Sequence, residues 1–484
     1  MSLLPHTESL LQQPVIIQGG MGVGVSSWQL ASTVAQLGHL GVVSGTAVAV
    51  TEARRLADGD VGGHVRRALS RFPIPAVADR VLARHLDAEG RGGERYRAVP
   101  RPKIDPGDPL IELTVAAAFV QVTLAKEGHD GLVGINLLEK IQLPTLPTLY
   151  GAMLAGVDYV LMGAGVPVKI PAVLDRLAAH EEAALPLDVT GASPERRHES
   201  RFDPRRLWDG ADLLPVARPQ FLAIVSSVTL AKYLAASNTG APDGFVVELP
   251  VAGGHNAPPR GRLQLDDSGA PVYGPRDAID LASIAALGLP FWLAGGYASP
   301  ERVVEAQEAG AVGVQVGTAF AFCDESGYDE VLRRAALADV RNGTTVRTDP
   351  FASPTGYPFK VLEMGGTLSD PAVSGERERL CDLGYLRELY ERPDGRIGYR
   401  CPAEPVADYV AKGGAVEDTV GRQCLCNALV ADIGLGQVRR DGYEEPPLVT
   451  AGDDLALVAH LLERGGTGYT AADVIDHLLP APRP

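Results

Sequence analysis

At 484 residues, with 45% apolar and 21% charged side chains, the chain has a globular composition and the length of one large domain with insertions or of two domains. Its formal charge of −16 repels polyanions, which excludes general affinity for nucleic acid or an anionic membrane surface. No run approaches about 18 uninterrupted apolar residues, residues 1–14 show no basic flank before a long apolar stretch, and five cysteines without an export signal fit a reducing cytoplasm.

Taken in chain order, short apolar runs recur, most of them ending in glycine or a small polar residue. They are PVIIQGG (14–20), LGVVSG (40–45), LVGINLL (132–138), VDYVLMGAG (157–165), QFLAIVSS (220–227), GFVVELP (244–250), PFWLAGG (290–296) and VGVQVGT (312–318). Runs apolar at nearly every position suit strands buried on both faces, as in a parallel sheet covered by helices. Helical stretches lie between them, such as residues 26–38 and 299–310, the latter with Ser299 as N-cap, Pro300 in the first turn and a glycine stop. Eight strands each followed by a helix predict a (β/α)8 TIM barrel. A doubly wound open sheet is the competing architecture, since strand runs alone do not show closure. Uneven spacing places insertions after the second strand (about 46–110) and the fourth (about 184–219), the latter read as a hairpin-like excursion. The barrel is expected over residues 1–330 and a C-terminal extension packed on it over 331–484.

The last two units carry the strongest chemical signal. Gly295 and Gly296 follow the seventh strand, and Gly317 and Thr318 follow the eighth. Barrels commonly bind phosphate in these loops, because glycine lets backbone N–H groups approach and a helix N-terminus adds a favourable dipole. The first strand opens into QGGMGVGVSS (18–27), where backbone can lie flat against a planar ring. That loop has neither the G-x-G-x-x-G register of a dinucleotide fold nor the G-K-[ST] of a P-loop. Asn136 ends the third strand, where its amide serves either a ligand or a turn.

Together, PVIIQGGMGVGVS, the GIN strand, MGAGVP (162–167), AGGH (252–255) and AGGYAS…GVQVGTAF resemble the nitronate monooxygenase family over about residues 14–322. Its superfamily also holds flavin-dependent enoyl-ACP reductases and the enoyl reductases associated with polyunsaturated fatty acid and polyketide synthases. The resemblance implies FMN, with its phosphate at Gly295, Gly296, Gly317 and Thr318 and its ring over Gly19, Gly20 and Met21. It also implies that Asn136, Gly163, Ser226, Ser227, Gly253 and Gly254 line the flavin. The implied reaction is oxidation of a nitronate or similar carbanion with O2. The alternatives are an NAD(P)H-dependent reductase of an enoyl thioester or quinone, with an acyl carrier protein as partner, and a non-catalytic flavin-binding subunit of a biosynthetic complex.

His255 follows the sixth strand in VAGGHNAPPRG (251–261), a run that is neither regular helix nor central strand. In a barrel it faces the mouth, and imidazole chemistry near neutrality makes it the expected catalytic acid or base. Glu248 lies upstream of the position where the family carries an acidic residue, and the loop after His255 is longer than in simple nitronate monooxygenases. Four of the five cysteines, Cys381, Cys401, Cys424 and Cys426, fall within 46 positions of the extension. They are either ligands of zinc or an iron–sulfur cluster, or buried thiols packing as small hydrophobes. Cys323 reads as core. Residues 353–366 read either as a cover over the flavin or substrate or as an ordinary packed loop.

Overall fold

A computed structural model describes residues 13–193 and 195–480. The stretch read for an export signal lies, as far as residues 1–12, outside the described residues. Eight parallel strands form the central sheet: β1 (Ile16–Gln18), β2 (Gly41–Ser44), β3 (Val133–Leu138), β4 (Tyr159–Gly163), β5 (Gln220–Val225), β6 (Gly244–Glu248), β7 (Phe291–Ala294) and β8 (Gly313–Val316). Each pairs with its neighbour in chain order, and β8 returns to β1 in register Ile16 to Val314. The circle closes between β1 and β2, where Gln18 N–H donates to Leu40 O at 3.0 Å and Leu40 N–H to Ile16 O at 3.1 Å. Closure settles the architecture as a (β/α)8 barrel, because a doubly wound sheet leaves two edges unpaired.

Every barrel strand is buried on both faces, so the apolar runs have no polar alternation. Inward positions fill the barrel with Ile17, Val42, Leu161, Leu222, Val246 and Trp292, all at most 1% exposed. Gln18, next to Ile17 in β1, is a fully buried polar residue. Its amide accepts from Val42 N–H at 2.9 Å and donates to Ser26 Oγ at 2.8 Å, pinning the loop that leaves β1. Unpaired, such a buried amide would be costly, so these bonds fix the loop as well as satisfy the side chain.

The segment between β2 and β3 contains helices Val48–Ala57, His64–Leu69 and Pro75–His85, then α1 (Asp108–Ala125). The helix α1 is the one described helix long and apolar enough to cross a membrane, with mean hydropathy 1.4, and 78% of it is buried in the fold. Between β4 and β5, Ala183–Pro186 pairs antiparallel with Glu199–Phe202.

Past the barrel, β9 (Val346–Asp349) and β10 (Phe359–Leu362) form a hairpin, and β11 (Glu388–Glu391) pairs with β12 (Ile397–Arg400). Helices α2 (Leu425–Ala431), α3 (Ala456–Gly465) and α4 (Ala471–Leu478) follow. Buried Leu457, Val458, Leu461 and Val474 belong to the same apolar core as the outer faces of the barrel strands.

Candidate active site

Strand periodicity determines what faces the mouth of the barrel. One step above the interior layer, side chains at the same inward phase are Asn136, Gly163, Ile224, Glu248, Ala294 and Gln315, and all of them line one large cavity. The cavity encloses about 1740 Å³, its open mouth included. Around it the structure gathers Gly19, Gly20, Met21, Asn136, Gly163, Gly253, Gly254, His255, Gly295, Gly296, Gly317 and Thr318.

Ser226 and Ser227 do not reach it. The strand β5 ends at Val225, and Ser227 Oγ accepts from Leu230 N–H at 3.1 Å as the N-cap of the next helix. Ser226 offers its carbonyl to Arg260 at 3.3 Å. The expectation that these serines line the flavin is therefore corrected, with Ile224 in the lining position. An N-cap serine and a ligand-binding serine look alike in sequence, because both follow a strand and precede a helix.

The glycine loop after β1 is shaped by contact. An added Cβ at Gly20 would lie 2.0 Å from Asn136 Cβ, so only glycine lets Asn136 approach and donate to Gly20 O at 3.2 Å. Ser26 Oγ donates to Gly19 O at 2.9 Å and accepts from Met21 N–H at 2.8 Å. At the opposite side, Gly295 (φ 89°) and Gly296 (φ 75°) occupy the left-handed region that disfavours any side chain. A Cβ at Gly317 would meet only Met21, at 3.9 Å, and would project into the cavity.

His255 is held on several sides. Its Nε2 lies 2.7 Å from Ser353 Oγ, which in turn lies 2.8 Å from Thr355 Oγ1. Its ring packs edge-on against Phe359 with centroids 4.8 Å apart, and its backbone bridges to β10. Of residues 353–366, Ser353 and Phe359 touch the imidazole and Phe359 also lines the cavity. Burial without an acidic partner lowers His255 to about 4, so the ring is neutral at pH 7 and not poised near neutrality. Glu248 lines the same cavity and is pushed up to about 8 by burial, which keeps its carboxyl protonated at pH 7. Gln315 Oε1 is buried without a partner at the cavity wall.

Part of the wall comes from the C-terminal extension, through Tyr385, Leu386, Leu425, Cys426 and Leu429 and through residues 450–452. Gly452 N–H donates to Thr318 Oγ1 at 2.8 Å, and Gly254 N–H to Thr450 Oγ1 at 3.0 Å. Lys360 is 2% exposed and reaches Asp453 at 2.7 Å, fastening this segment to β10. Residues 450–453 were not singled out in the sequence. Their signal was modest: TAGDD, a small-residue turn running into α3, where Asp454 Oδ1 accepts from Ala456 N–H at 2.9 Å.

The four clustered cysteines converge on a second, small pocket behind Leu386 and Leu425. Among the described residues, however, no group of three or more His, Cys, Asp or Glu side chains is disposed to hold a metal ion. Cys381 and Cys401 are neighbours in that pocket, Asn427 donates to Cys424 Sγ at 3.5 Å, and Cys426 edges the large cavity. The expected zinc or iron–sulfur ligand set is corrected accordingly: the sulfurs are neighbours whose partners are one another and nearby amides.

With the geometry established, comparison with known proteins gives the following. The family model described as nitronate monooxygenase matches residues 217–363. No curated protein matches the sequence. Among solved structures, FabK from Thermotoga maritima is 15% identical, with 96% of this chain and 91% of that one covered and a TM-score of 0.47. A nitroalkane oxidase from Streptomyces ansochromogenes is 18% identical, with 96% and 94% covered and a TM-score of 0.43. The enoyl reductase domain of MlnA, from the macrolactin biosynthesis cluster of Bacillus amyloliquefaciens, is 12% identical, with 96% and 91% covered and a TM-score of 0.46.

The family match falls on the strands and loops that carry His255 and both late glycine loops, and it marks this barrel as an enzyme, a flavin-dependent oxidoreductase. Within that class the chain resembles the nitronate monooxygenases across residues 217–363.

Proposed function

We propose that the protein binds FMN and oxidises a nitronate or a similar carbanion with O2, using a barrel over residues 1–330 completed by the extension 331–484. The observation that carries this reading is one cavity bounded by Gly295, Gly296, Gly317 and Thr318 on one side and by Gly19, Gly20, Met21 and His255 on others. The glycine loops supply close-approaching backbone for a phosphate, and Gln315 Oε1 is a buried acceptor in want of a donor on the ligand. FMN supplies the electron acceptor when bound.

The chain's own groups handle the proton. When the substrate arrives as its neutral carbon acid, such as a nitroalkane, neutral His255 takes the proton from the acidic carbon at a ring nitrogen and generates the carbanion, while Ser353 fixes the plane of the ring through Nε2. Protonated Glu248 offers a hydrogen bond rather than a charge, so the cavity does not repel an anionic substrate. The cysteine usage supports a reducing, cytoplasmic setting.

A second reading, reduction of an enoyl thioester or quinone by NAD(P)H, draws support from the apolar wall of Leu138, Ile141, Phe359, Leu386, Leu425 and Leu429, which suits an acyl chain. An acyl carrier protein would then be the natural partner. Anaerobic mixing separates the two. Bleaching of the flavin by an alkyl nitronate and not by NAD(P)H is expected, and rapid bleaching by NAD(P)H alone would replace the first reading with the second.

A further inference from the structure

Cys381, Cys401, Cys424 and Cys426 occupy a pocket that the proposed reaction does not use. Their surroundings differ sharply. Cys424 is 8% exposed and Cys401 5%, while Cys381 is only partly buried, in the loop that precedes β11. Cys426 is also partly buried and borders the large cavity as well as the small pocket. Cys381 thus combines partial exposure with a neighbouring thiol, Cys401, in the same small pocket.

The charges around the pair are unequal. Arg101 donates to the Cys381 carbonyl at 3.0 Å, and Arg387 lines the thiol pocket. Arg379 is fixed close to Cys401 by the carbonyls of Glu404 and Thr419, both at 3.1 Å. Glu404 opposes these cations, but its carboxylate is held by Lys412 at 2.7 Å.

We propose that Cys381 and Cys401 form a redox-active dithiol that reduces a hydroperoxide and closes to a disulfide, independently of the reaction in the barrel. Cys381 sulfur attacks the outer oxygen of the peroxide. An S–O bond forms, the O–O bond breaks, and the leaving oxygen departs as water or an alcohol with the thiol proton. Cys401 sulfur then attacks the oxidised Cys381 sulfur. The S–S bond forms, the S–O bond breaks, and water leaves with the Cys401 proton. Two thiols are oxidised and one peroxide is reduced, two electrons on each side.

The division of labour follows from the surroundings. The Cys401 thiol donating to it, reinforced by the Arg387 and Arg101 guanidiniums, holds Cys381 below the usual thiol range against the effect of burial. Cys381, only partly buried, is the sulfur a peroxide can reach, whereas Cys401, 5% exposed, is shielded from it and left to resolve. Burial raises Cys424 and Cys426, which suits them to remain thiols. Leu386, Leu425 and Cys426 border both pockets, so the dithiol sits directly behind the wall of the cavity.

The test uses the full-length, flavin-loaded protein and hydrogen peroxide. After treatment, thiols counted in denaturant should fall by two from the five in the chain, and peptide mapping without reduction should link Cys381 to Cys401, reversibly with dithiothreitol. Cys401→Ser should trap Cys381 as a dimedone-reactive sulfenic acid. Because Cys401 is buried and its replacement can impair folding, Cys381→Ser at the partly exposed site is the second arm, and it should leave all remaining thiols intact under the same treatment. An unchanged thiol count in the parent protein, a link between Cys424 and Cys426, or loss of thiols in Cys381→Ser would overturn the assignment.

Discussion

At the scale of single residues, burial holds two titratable groups in the cavity in their neutral forms at pH 7. His255, lowered to about 4, is neutral from mild acid upward, so if it is the base the acidic limb of kcat/KM should fall near pH 4 and not near 6.5. His255→Ala should retain flavin, because the late glycine loops do not depend on the imidazole, yet slow turnover by about 10²–10⁴-fold. The loss should be larger with a neutral nitroalkane than with its preformed nitronate, and equal small losses would remove His255 from the proton transfer. Glu248 carries a different signature. Its folded pKa, about 8, stands above its unfolded value, so its contribution to stability is full below about pH 4.5 and is lost as pH rises through 8. Glu248→Gln should therefore raise the thermal midpoint relative to the parent at pH 8 and lose that advantage by pH 5. Parallel midpoints at both pH values would mean that the carboxyl finds a partner when folded.

At the scale of elements, legibility followed burial. All eight barrel strands were readable because a strand buried on both faces needs a run apolar at nearly every position, and β1 to β8 each lie within one. The glycine loops were readable because positive φ at Gly295 and Gly296 demands the residue type that stands there. Ser226 and Ser227 were misread because helix capping and ligand binding use the same side chain. The extension's share of the wall was illegible for another reason: Gly452 meets Thr318 across 134 positions, and no local pattern records a contact that distant. Lys360 shows how that contact is kept. Its ammonium, 2% exposed, lies between Thr348 Oγ1 at 2.6 Å and Asp453 at 2.7 Å. Lys360→Met should destabilise by roughly 1–3 kcal/mol, below the 3–5 kcal/mol of fully buried pairs because Asp453 keeps contact with water. It should also weaken flavin retention, since residues 450–452 line the cavity. A double-mutant cycle with Asp453→Asn checks the pairing, and additive losses would show that the two side chains act separately.

At the scale of the whole molecule, the cavity belongs to neither part of the chain alone. The barrel contributes the glycine loops and His255, while the extension closes one side through Leu425, Leu429 and residues 450–452. A ligand seated there contacts both, so its binding energy favours the state in which the extension is docked. The apolar core continues from the barrel strands into α3 and α4, which leaves few independent surfaces and makes one cooperative unfolding step the expectation. Stripping FMN should then lower the single transition rather than split it. Restoring FMN at about a hundredfold excess over its Kd should return about 2.7 kcal/mol of stability, seen as a rise of the thermal midpoint with added FMN and little change with riboflavin, which lacks the phosphate. Gly317→Val should abolish the rise, because a side chain there projects into the cavity where the phosphate is proposed to sit. A midpoint indifferent to FMN, or one that responds equally in Gly317→Val, would locate the flavin elsewhere and leave the glycine loops as turns.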